Sequence, residues 1–101
     1  MEFTETALLA SIDHTLASVR AALYAAADPE QFEEAQTKLA EKAGEDTGRL
    51  VAHADAREWP GVESAVFDAI RRADEAGREG DLQEIERRLA AAREMIGGPS
   101  A

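Results

Sequence analysis

The chain has 101 residues, enough to bury one core and too few for two, and no cysteine, which excludes a disulfide framework and a thiolate metal site. Eleven Lys and Arg against 21 Asp and Glu leave a net charge of −10, which repels phosphate backbones and anionic lipid and argues against direct nucleic-acid or membrane binding. Of the apolar residues 22 are Ala and 23 are larger, so the core is thin and Ala-rich faces call for a neighbour to cover them, a second copy or another protein.

Strand signals are nearly absent: Val and Ile total eight, nothing alternates with period two, and no Asn is available for an Asn-Gly hairpin. The expected fold is all-α, a small antiparallel bundle of about four helices spanning residues 1–96, with 97–101 as a mobile tail. The N-terminal Met1-Glu2-Phe3-Thr4-Glu5 is acidic where a signal peptide is basic. No uncharged run is longer than Ala21 to Ala27, which is too short for a bilayer, so a cytoplasmic location is expected.

A first helix is predicted from about Glu5 to Ala27, with Leu9, Ile12, Leu16, Val19 and Leu23 on one stripe, Thr4 as cap and Phe3 and Leu8 at staple spacing. Asp28-Pro29 breaks it, and Asp28 with Gln31 has the spacing of a capping box for a second helix starting at Pro29. That helix has Phe32, Ala35, Leu39 and Ala43 as apolar positions. Gly44 and Gly48, with Asp46 or Thr47 as possible caps, leave open one kinked helix to Glu58 or two shorter ones. The common phase of Phe32, Leu39, Ala43, Leu50 and Ala54 favours continuity.

Trp59-Pro60-Gly61 is the next break, with Pro60 suited to a first helical position. Val62, Val66, Ala69, Ile70 and Ala73 mark a third helix ending near Gly77. Asp81, with Glu84 at capping-box spacing, opens a fourth whose stripe is Leu82, Ile85, Leu89, Ala92 and Ile96. Glu34/Lys38, Asp68/Arg72 and Glu84/Arg88 are the expected surface pairs.

Catalytic constellations are missing: the four serines lie on predicted helices or in the tail, and there is no nucleophile elbow or phosphate-binding glycine loop, so no enzyme activity and no cofactor are expected. For metal, His14 with Asp13 and His53 with Asp55 and Glu58 are the candidates, but neither His follows a Glu by three residues as in di-metal bundles. His14 reads as a solvated residue opposite the apolar stripe and His53 as a half-buried packing residue.

Three segments resemble known families. Leu9 to Leu16, around His14, loosely resembles the histidine box of sensor-kinase dimerisation helices, departing from it at Thr15, where that pattern has an acid. Trp59-Pro60-Gly61 with Phe67 eight residues after the Trp resembles the Trp-x-Gly turn of helical hairpins exported by type VII secretion. Helix boundaries at Asp28-Pro29 and Gly77 to Gly80 depart from that family's unbroken arms. Ala69 to Ile96 resembles a single tetratricopeptide-type hairpin, with no second copy.

The resulting expectation is a non-enzymatic protein–protein interaction module: an oligomeric bundle, or an adaptor or inhibitor of a larger partner. An acidic mimic of nucleic acid that inhibits a basic protein is the alternative, and a type VII substrate the next. From Asp28 to Asp46 seven acids face two lysines, a net of −5, which makes Glu30, Glu33, Glu34 and Glu41 the candidate contacts for a basic partner. Trp59 joins them as the lone Trp at a break, either closing the bundle or anchoring a partner.

Overall fold

The computed structural model describes residues 5–30 and 32–97, so the Thr4 cap, the Phe3 staple, Gln31 and the tail after Gly97 lie outside the described residues. Four helices and no strand are formed among them: α1 (Glu5–Ala27), α2 (Glu33–Asp55), α3 (Ser64–Arg78) and α4 (Leu82–Gly97). Each packs on its chain neighbours and α4 closes back on α1, giving the all-α four-helix bundle. Ion pairs fix its direction: Asp13 meets Arg93 at 2.7 Å, and seven residues on along α1, Arg20 meets Glu86, seven residues back along α4, at 3.3 Å. That register is antiparallel.

The core is built from Leu8, Ile12, Leu16 and Val19 of α1, Leu50 of α2, Trp59, Val66 and Ile70, and Ile85 and Leu89 of α4, interleaved with eight buried alanines. Alanine at these positions lets the helix backbones approach. The stripe on α1 is rotated from expectation: Leu8 is buried, whereas Leu9 and Leu23 are only half-buried. The helix is wedged between α2 and α4 and buries a broader face, also taking in Thr15 and Ala22.

Helix α2 is continuous through Gly44 and Gly48. Burial of Ala43, Thr47, Leu50 and Ala54 on one face outweighs the glycine cost, and the Thr47 hydroxyl donates to Ala43 O at 2.7 Å instead of capping a new helix. Its start differs from the sequence expectation. Pro29 sits in a turn held by Glu30 N–H donating to Asp28 Oδ1 at 2.9 Å, so Asp28 closes an Asx-type turn and does not begin a helix. Phe32 stays extended as N-cap, without a side-chain cap, and α2 begins at Glu33 and ends at Asp55, short of Glu58.

Pro60 likewise does not open α3. Val62 N–H donates to Trp59 O at 3.1 Å and Gly61 has φ 87°, the type II turn in which Pro and Gly hold the two central positions. Helix α3 starts only at Ser64. Its far end is a Schellman motif: Asp81 N–H donates to Ala76 O at 2.9 Å and Gly80 N–H to Gly77 O at 3.1 Å, with Gly80 at φ 76°. The same Asp81 then accepts Glu84 N–H on Oδ1 at 3.1 Å and caps α4, as expected. Glu34–Lys38 and Glu84–Arg88 pair, but Asp68 pairs with Arg71 and not Arg72, because Arg71 also reaches Asp55 across the α2–α3 seam. No helix among the described residues is long and apolar enough to cross a membrane.

Candidate functional site

The end of the molecule where α1 passes to α2 carries the surface that the core does not explain. Tyr24, in the last turn of α1, and Phe32, just before α2, are each 83% exposed. Phe32 was a core position by periodicity, but the later helix start leaves it on the extended N-cap, outside the buried face. Tyr24 forms a ridge between two grooves. One is lined by Ala21, Ala27, Pro29 and Leu39 with Asp28 at its edge, the other by Arg20, Leu23, Ala27 and Glu86. The connection is tied down by Gln36, whose Nε2 donates to Ala25 O at 3.0 Å and to Asp28 O at 3.4 Å, while Ala25 O also accepts the Asp28 N–H at 3.2 Å.

The acids flank this end. Glu30, Glu33, Glu34 and Glu41 are all exposed. Glu34, Glu41 and Glu45 repeat at steps of seven and four on the face of α2 turned away from its buried residues, with Lys38 and Lys42 along one edge. Only Glu34 among them forms an ion pair, with Lys38 at 3.3 Å and well exposed, so this face keeps its negative charge. By contrast α3 and α4 each carry three acids and three arginines and are neutral. The net charge of the protein is therefore weighted toward α2 and the turn before it.

Trp59 is elsewhere, at the α2–α3 junction, and only 5% exposed. Its Nε1 donates to Ala54 O at 3.1 Å, its ring meets His53 edge-on at 5.3 Å, and Arg57 lies over it at 5.8 Å. Those contacts close the end of the bundle, and the structure does not bring Trp59 together with the acids.

The two histidines converge. His14 of α1 and His53 of α2 line one cleft between these helices, together with Ser11, Asp46 and Arg49. No group of three or more His, Asp or Glu among the described residues is placed to hold a metal ion. Tyr24 as an exposed ridge and Asp46 as a buried acid are features that helical periodicity alone does not single out. The available signal for Tyr24 is its position off the Ile12–Leu16–Val19 stripe, and for Asp46 its place midway between Gly44 and Gly48, three residues after Ala43 and four before Leu50 on the buried face. Comparison of the chain with protein-family models, with curated proteins and with solved structures finds no match in any of the three.

Proposed function

We propose that the protein is a non-enzymatic protein–protein interaction module that engages a partner through the α1–α2 end. The observation that supports this is the pair of exposed aromatics, Tyr24 and Phe32, on a bundle that buries its other aromatics at least partly within the described residues. Apolar aromatic surface of this kind is costly in water and is enriched at the centres of protein interfaces. The acids beside it, Glu30, Glu33, Glu34 and Glu41, complement a basic rim on the partner and disfavour close approach of a second copy through the same face. A heteromeric partner with apolar anchors in a basic surround is the chemistry that fits.

The test compares the wild type with Tyr24→Ala/Phe32→Ala. Sedimentation over a wide concentration range reads self-association, and affinity capture followed by direct titration of the captured protein reads the partner. The expected result is a specific partner whose affinity collapses in the double variant while the melting curve is unchanged. A variant that binds the same partner equally well would refute this surface. The nucleic-acid-mimic reading would rise instead if the partner were a nucleic-acid-binding protein whose binding depended on the α2 acids alone and vanished with salt.

A further inference from the structure

The cleft between α1 and α2 holds a carboxylate that the fold leaves without a donor. Asp46 lines this cleft of about 340 Å³, and its side chain is only 7% exposed. Its Oδ2 is buried and has no hydrogen-bond partner. Oδ1 has only the Arg49 guanidinium at 3.7 Å, beyond hydrogen-bond length, on a side chain 78% exposed. A carboxylate in this position requires donors to offset the hydration it has lost.

Two hydroxyls of the wall add acceptors. The Ser11 hydroxyl donates to Ala7 O at 3.2 Å and the Thr15 hydroxyl to Ser11 O at 2.9 Å. Each hydroxyl has one proton to give, so both offer the cleft only lone pairs. Ala10 and Leu50 provide apolar surface beside them, and His14 and His53 complete the lining. An occupant that matches this wall brings N–H donors and positive charge on a short aliphatic stem. The volume suits a small group, and the net charge of −10 concentrates cations around the protein.

We propose that the cleft between α1 and α2 binds a primary ammonium group, with Asp46 as its counter-ion. Rotation about the broad terminal torsion of Asp46 turns either oxygen toward the ligand. Arg49 is then a competitor for the same carboxylate, held loosely enough to be displaced. The site is separate from the Tyr24–Phe32 surface and does not depend on it. A free aliphatic amine and a lysine side chain share this chemistry.

The probe is n-butylammonium chloride, titrated into the full chain at constant ionic strength and followed by amide NMR shifts. Saturable shifts at Ser11, His14, Asp46, Arg49 and His53 are expected, with n-butanol giving none. Asp46→Asn should bind at least roughly tenfold more weakly, and Arg49→Ala several-fold more tightly. Ala10→Leu, which fills the cleft from an exposed helical position, should abolish binding with the fold intact, and it decides the matter if Asp46→Asn fails to fold. Blocked lysine, acetylated and amidated on its backbone, separates the sources: tighter binding than n-butylammonium points to a partner's lysine, and exclusion to a free amine. Linear, unsaturable shifts, equal shifts with n-butanol, or unchanged binding in Ala10→Leu would overturn the proposal.

Discussion

Replacing Trp59 by Ala tests whether the junction between α2 and α3 is held by that one side chain. A buried indole removes about 200 Å² from water, worth about 5 kcal/mol at ~25 cal/mol per Å², and large-to-small aromatic changes in cores cost about 3–5 kcal/mol after relaxation. The loss here includes the Nε1 donor, so Ala54 O is left without it in a buried place. Unfolding entropy of about 2.1 cal/mol/K per residue gives roughly 0.2 kcal/mol/K for about 100 residues, so the melting temperature should fall by about 15–25 °C. Trp59→Phe keeps most of the ring area and removes the hydrogen bond, so about 1–2 kcal/mol, or about 5–10 °C, is expected. Thermal and urea unfolding followed by far-UV circular dichroism measure both, since the fluorescence probe goes with the residue. Superimposable curves for wild type and Trp59→Ala would refute the packing argument and return Trp59 to the surface as a recognition residue.

The glycines should respond in opposite directions. Gly44→Ala introduces a Cβ with nothing within 4 Å inside a continuous helix and should stabilise by about 0.5–1 kcal/mol, whereas Gly80→Ala, at φ 76°, should destabilise by about 1–2 kcal/mol in the same urea titration. Asp81→Ala removes the cap on Glu84 N–H and should cost about 1 kcal/mol, with Asp81→Asn recovering most of it. Reversing Glu30, Glu33 and Glu34 to Lys should leave the melting curve within about 0.5 kcal/mol of wild type, since all three are exposed, while weakening the partner's association most at low salt. Equal affinity at low salt, with the variant folded, would remove these acids from the interface.

Much of the fold was legible because local and global signals agreed. Helix α1 begins and ends as predicted, and α4 carries both its predicted cap and its predicted stripe, with Ile85, Leu89 and Ala92 buried. The errors fall where one residue type serves two local structures. Proline fits the first turn of a helix and the second position of a turn equally well, and Pro29 and Pro60 both took the turn. Asp28 has the spacing of a helix cap but closes a tight turn, which delays α2 to Glu33 and puts Phe32 outside. Asp46 is hard to recognise as a buried acid because charge in a helix is read as solvated by default, and its burial appears only once the helices pack. The acids at Glu30, Glu33, Glu34 and Glu41 were legible as a surface. The aromatics beside them were not, since periodicity assigns large apolar residues to the core whenever phase allows.

Asp81 belongs to two helices at once, ending α3 through its backbone N–H and starting α4 through its carboxylate. Glu79 and Gly80, the other two residues between them, are both bonded back to the end of α3, so α3 and α4 should form and melt as one unit. Their contacts are close in sequence, which makes this hairpin the cheapest piece of the molecule to assemble in terms of loop closure. The α1–α2 connection, tied mainly by Gln36 and carrying the exposed aromatics, then belongs to the part that opens at lower free energy. Native-state hydrogen exchange should therefore show α3 and α4 as the slowest-exchanging foldon, and the α1–α2 end as the region free to adjust while the hairpin holds its shape.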